Sequence, residues 1–156
     1  MKVRLIKQRG TMELKSRGRL LRLMDMALEL TGLSVERGDL NVVITRTDAM
    51  AEMNEQFLGH QGRTDVLTFD LRDSSIPVDD DDCVAEVYVC PEVAVEFSAK
   101  FGTSPSYELV LYIIHGMLHL AGEDDLDDEA RASMRQAEAR VMACIKERYS
   151  VEGFIG

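Results

Sequence analysis

The chain has 156 residues, 46% of them hydrophobic and 29% charged, with a formal net charge of −10. That length fits one domain around one core, and the composition is too apolar for intrinsic disorder. No apolar run approaches the ~20 residues of a membrane span, and the start, Met1-Lys2-Val3-Arg4, lacks the apolar centre of a secretion signal, so a cytoplasmic location without membrane partners is expected.

Charge is unevenly spread. Residues 1–22 carry eight basic side chains against one acid, Glu13, for +7, which leaves −17 on the other 134 residues. The acidic body excludes a generic nucleic-acid coat protein. The basic start reads either as a local grip on a phosphate backbone or as solvated strand and helix faces. Cys83, Cys90 and Cys144 are odd in number and show no C-x-x-C spacing, so neither a disulfide framework nor a thiolate zinc knuckle is indicated.

In chain order, Val3 and Leu5 mark a short strand. A helix follows over about 18–30 with Leu20, Leu23, Met24, Ala27 and Leu28 on one side, Ser16 as a cap and Gly32 as its stop. Residues 41–46 are β-branched and read as a strand. Thr47 or Asp48 then caps a helix ending at Gly59. Residues 66–71 alternate, which puts Leu67, Phe69 and Leu71 on one face. Four adjacent acids, Asp79–Asp82, read as a solvated loop before a second alternating strand, Val84–Cys90. Pro91 opens a helix stopped by Gly102, and Ser104-Pro105 caps the next, whose residues 106–121 are apolar almost all round, as in a helix buried mid-domain. Asp127 or Asp128 starts a last amphipathic helix with Met134, Ala137, Val141, Cys144 and Ile145 inward. Met50, Met53, Met117, Met134 and Met142 read as core filler. The expected fold is α+β over residues 1–156: about four strands in one mixed sheet and about five helices around a buried central helix.

The chemistry gathers at the end of that helix, His115-Gly116-Met117-Leu118-His119-Leu120-Ala121-Gly122-Glu123-Asp124-Asp125. His115 and His119, four apart, share one helical face, and Gly122 can take a positive φ and turn the chain back over it. Asp125 can then supply a third ligand, giving H-x-x-x-H-x-x-G-x-x-D, the layout of a three-ligand catalytic metal site. Two imidazoles and a carboxylate suit Zn²⁺, with Mn²⁺, Fe²⁺ and Ni²⁺ as alternatives. The competing structural reading is an acid-rich turn capping two helices. Metalloproteases of the H-E-x-x-H class carry a general-base Glu where this chain has Gly116, so a metallopeptidase-like hydrolase, with Asp124 or Glu123 as base, ranks second.

The run from His115 to Gly122 matches most of the pattern H-G-x-L-H-L-x-G-Y-D-H, and Asn54, Phe57 and Thr64-Asp65-Val66-Leu67-Thr68-Phe69 match L-N-x-x-Y-R followed by T-D-V-L-S-F. With these two motifs in the right order, the sequence resembles the YbeY family of bacterial ribosomal-RNA maturation factors, single-strand-specific metallo-endoribonucleases, most strongly over about residues 40–148. The chain departs from the pattern at Asp125 (a third His in the family), Glu123 (Tyr), Leu58 (Arg) and Ala85-Glu86-Val87 (Gly-Asp-Ile). Asp125 keeps a zinc donor but makes the site one charge more negative. Leu58 removes a planar fork for phosphate, which Arg63 or the basic start would have to replace.

The resemblance implies cleavage of single-stranded RNA, with His115, His119 and Asp125 on the metal. Asp65 is then a base or part of the cleft floor, Arg63 a grip on phosphate, His60 a bystander in the same loop, and Asp124 a further catalytic carboxylate. It also implies a role in 3′-end processing of small-subunit ribosomal RNA and in ribosome quality control, with the small subunit as partner. The alternative within this reading is a ribosome-assembly factor that has lost catalysis. The sequence does not fix the oligomeric state.

Overall fold

The computed structural model describes residues 1–58 and 66–156. Ten elements follow one another: strand β1 (Lys2–Lys7), helix α1 (Arg17–Thr31), a 3-10 turn (Leu33–Val35), β2 (Asp39–Ile44), α2 (Thr47–Leu58), β3 (Val66–Asp70), β4 (Cys83–Val89), α3 (Pro91–Phe101), α4 (Pro105–Leu120) and α5 (Asp128–Lys146). The strands form one sheet in the order β1-β2-β4-β3, with β1, β2 and β4 parallel and β3 antiparallel to β4. The fold is α+β with a mixed sheet, as the periodicity indicates. No helix among the described residues is long and apolar enough to cross a membrane.

One row across the sheet is Leu5, Val42, Val87 and Thr68. It runs beneath the helix layer, since Gly116 of α4 approaches both Val87 and Thr68. The core joins Leu40, Val42, Ile44 and Val87 of the sheet to Leu20, Met24 and Leu28 of α1 and Ile113 and Met117 of α4, all fully or almost fully buried. Met50, Met134 and Met142 are buried as well, in keeping with their reading as filler. The acids Asp79–Asp82 are exposed and close a local turn, Asp82 N–H donating to Asp79 O at 3.1 Å.

Local details differ from the sequence reading where non-local forces decide. Ser16 precedes α1 with φ 52° and makes no side-chain cap; its carbonyl accepts the Leu20 N–H at 3.0 Å. Leu71 is 52% exposed instead of sharing the buried face with Leu67; it lies one residue past β3 at the edge of the sheet, its N–H still donating to Val84 O at 2.9 Å. Strand β2 begins at Asp39, two residues early; its neighbours bury it on both faces, so no alternation marks its start.

Part of the basic start holds the chain ends together. Arg4 pairs with the buried Asp39 at 2.8 Å, and Arg17 donates to Leu5 O at 3.1 Å. Arg19 donates to the carbonyls of Ser150 and Glu152 and lies over the Phe154 ring, 4.2 Å from its centroid. β1 forms one edge of the sheet, whereas α4 packs on β3 and β4.

Candidate metal centre

Helix α4 starts as its sequence dictates: Ser104 accepts the Tyr107 N–H at 3.0 Å and Pro105 fills the first turn. Beyond Pro105 its faces are buried except for one stripe, Tyr107, Leu111, His115 and His119, each four residues after the last. The histidines therefore stand on the one line of the central helix that reaches solvent, with side chains 22% and 28% exposed. Gly116 points the other way. A Cβ built there would meet Val87 Cγ1 at 2.7 Å and Thr68 Oγ1 at 3.2 Å, so the missing side chain lets the helix backbone seat on the sheet.

The end of α4 is a Schellman turn. Glu123 N–H donates to Leu118 O at 3.0 Å and Gly122 N–H to His119 O at 3.1 Å, with Gly122 at φ +106°. Arg72, just beyond β3, donates to Leu120 O at 2.6 Å and also pairs with Asp70 at 2.7 Å. That guanidinium holds the Asp70 carboxyl below its usual range, chiefly through the side-chain hydrogen bond. The turn then runs to α5, where Asp127 caps by accepting the Ala130 N–H at 2.7 Å and Arg131 donates to Asp125 O at 3.3 Å. This turn carries Asp125 back to the histidine stripe.

His115 Nε2 and His119 Nε2 lie 3.0 Å apart, and Asp125 Oδ2 lies 3.6 Å from each. The circumradius of a triangle with sides 3.0, 3.6 and 3.6 Å is about 2.0 Å, the length of a zinc–nitrogen or zinc–oxygen bond. The imidazole rings cross at 79°, so both nitrogens address one point edge-on instead of stacking. These three donors are the only group among the described residues that could hold one metal ion. Their chemistry, two imidazoles and a carboxylate, fits a divalent transition metal.

Two neighbours of these donors escape sequence reasoning. Glu138 of α5 brings Oε1 to 2.7 Å from His115 Nδ1, and Arg72 clamps the carbonyl beside His119. Glu138 left one signal: it is a carboxylate following Ala137 and four residues from the buried Met134 and Met142, on the inward side of an amphipathic helix. Asp124 makes a turn, accepting the Leu126 N–H at 3.3 Å, and Glu123 accepts from Ser133 Oγ at 3.3 Å. His60, Arg63, Thr64 and Asp65 lie outside the described residues, as do the side chains of Phe57 and Leu58.

Comparison with known proteins identifies the family. The family model described as Endoribonuclease YbeY matches residues 6–146. The Endoribonuclease YbeY of Salinispora tropica is 34% identical over 126 residues, covering 75% of this chain and 80% of that protein. The Thermotoga maritima protein of the same name is 41% identical over 91 residues. That match covers 57% of this chain, and the chain spans just over half, 56%, of that relative's length. The solution structure of TM1509 from Thermotoga maritima superposes with a TM-score of 0.58 at 27% identity, covering 97% of this chain and 96% of the other. With the family model matched over residues 6–146 and a relative 34% identical across 75% of this chain and 80% of its own, the chain belongs to the endoribonuclease YbeY family.

Proposed function

We propose that this chain is a metal-dependent endoribonuclease of the cytoplasm that cuts single-stranded RNA during ribosomal-RNA maturation, including the 3′ end of small-subunit RNA. In the same reading it serves ribosome quality control and meets the small ribosomal subunit. The observation that carries the proposal is the triangle of Nε2, Nε2 and Oδ2 atoms with its radius of about 2.0 Å. Family membership supplies the substrate class, since relatives bear the name Endoribonuclease YbeY.

His115, His119 and Asp125 hold the ion, and zinc is the ion their donor set suits best. Bound zinc supplies a Lewis acid for a phosphoryl oxygen and a water acidic enough to react near neutral pH. The chain's own residues do the positioning. The stripe on α4 fixes two donors on a rigid buried helix, and the Gly122 turn fixes the third. Arg63 grips phosphate while Asp65 and Asp124 provide carboxylates for proton transfer, assignments that rest on the sequence motifs. A peptidase mechanism loses support from Gly116, which packs on Val87 and Thr68 of the sheet and offers no proton-accepting side chain where that class carries its general-base Glu.

The test is elemental analysis of the purified chain followed by cleavage of single-stranded and duplex RNA with and without chelator. Expected are about one zinc per chain and cutting of the single strand that chelator abolishes. His119→Ala should lose both the metal and the cleavage while keeping its fold. A His119→Ala protein that retains the wild-type metal content refutes the site.

A further inference from the structure

We propose that Glu138 is a positioning residue of the metal centre, holding the His115 proton on Nδ1 and so aiming the Nε2 lone pair into the donor triangle. The inference rests on the metal reading above and adds a residue from a different element, α5. Glu138 sits on the inward side of that helix, among the buried Met134, Ala137, Val141 and Met142, and its side chain is only 16% exposed. A carboxylate there is largely stripped of water, a cost that the 2.7 Å contact with His115 Nδ1 offsets as a charge-assisted hydrogen bond.

The consequence follows from counting protons. An ionised carboxylate only accepts, so His115 donates from Nδ1 and, as a neutral imidazole, leaves Nε2 bare. The 3.0 Å contact between the two Nε2 atoms then takes its hydrogen from His119. One imidazole is thus in the tautomer a metal needs before any metal arrives, and only His119 must move its proton to Nδ1. Without Glu138, His115 is free to carry its proton on Nε2, pointing a hydrogen into the centre. Such outer partners of ligating histidines are worth about 10–100-fold in metal affinity.

The experiment uses the full chain and has two readouts. Zinc affinity is measured by competition with a chromogenic chelator. The tautomer of His115 in the metal-free protein is read from long-range ¹H–¹⁵N correlations. Wild type should show His115 protonated on Nδ1. Glu138→Ala should bind zinc about 10–100-fold more weakly and move His115 toward the Nε2–H form. Glu138→Gln, whose amide oxygen still accepts from Nδ1, should restore the tautomer and most of the affinity. Glu138→Leu keeps the volume without the acceptor and replaces the alanine variant if that one does not fold. Wild-type zinc affinity and an unchanged His115 signal in the variants lacking the acceptor overturn the role of Glu138 alone. A wild type that takes up no zinc overturns the metal reading together with it.

Discussion

Gly116 offers the most direct check on how α4 is seated. In a free helix, Gly→Ala gains about 1 kcal/mol from propensity. Here the new Cβ would sit 2.7 and 3.0 Å from the two methyls of Val87 and 3.2 Å from Thr68 Oγ1. Val87 is β-branched, fully buried and in a strand paired on both sides, so it has no rotamer to escape into. Overpacking of this kind costs about 1–3 kcal/mol, and meeting three atoms at once places it near the top of that range. Gly116→Ala is therefore expected to destabilise by about 1–2 kcal/mol net of propensity. Urea unfolding of Gly116→Ala, Val87→Ala and the double variant measures it. The double variant should be more stable than the sum of the single effects by about 1 kcal/mol or more, because removing the Val87 methyls opens the space that the new Cβ fills. A stabilised Gly116→Ala, or strictly additive effects, would refute the close approach of helix to sheet.

Other substitutions test the surrounding frame. Ser106, buried at the start of α4, donates to Ile155 O and accepts the N–H groups of Phe154 and Ile155 at 2.9–3.1 Å. Ser106→Ala strands those buried groups and should cost about 2–4 kcal/mol, with faster amide exchange at residues 154 and 155; a loss below about 1 kcal/mol contradicts the assignment. Asp70, held below its ordinary pKa by Arg72, gives stability that is complete above the unfolded carboxylate value near ~4 and fades as pH falls through the lower folded value. The unfolding free energies of wild type and Asp70→Asn in urea should differ by less than about 1 kcal/mol at neutral pH, since the pair is partly solvated, and converge toward about pH 2. A gap that widens in acid reverses the sign and rejects the pairing.

Local chemistry was legible and through-space chemistry was not. Ser104-Pro105, the four-residue spacing of the histidines, Gly122 and the Asp127 cap each act within one turn of backbone, and each does what its sequence position implies. Ser16 misled because the cap signature requires an extended backbone, and this exposed residue stands at positive φ instead. Leu71 continued the alternation one residue past β3, where the side chain is exposed at the sheet edge. Glu138 and Arg72 meet their partners across 23 and 48 residues. Neither contact has a local period, and only the stacking of α5 and the β3 end against α4 creates them.

The acidic turn tests what the proposed site costs the fold. Glu123, Asp124, Asp125, Asp127, Asp128 and Glu129 crowd one short segment, and Arg131, paired with Asp128, reaches Asp125 only through its carbonyl. Asp125 is 40% exposed and carries Oδ2 3.6 Å from both imidazole Nε2 atoms. Asp125→Asn keeps the shape and removes the charge. If the residue exists to bind metal, that change should stabilise the metal-free protein slightly, by up to about 0.5 kcal/mol, through relieved repulsion. Zinc affinity should fall more than ~100-fold, because even outer partners of ligands are worth 10–100-fold. Calorimetric melting of the metal-free protein and chelator competition measure the two effects on one preparation. Opposite signs mark a residue kept for function at the expense of stability. A variant that melts lower while holding zinc as tightly as wild type would instead make Asp125 a structural cap and leave the histidines without their third donor.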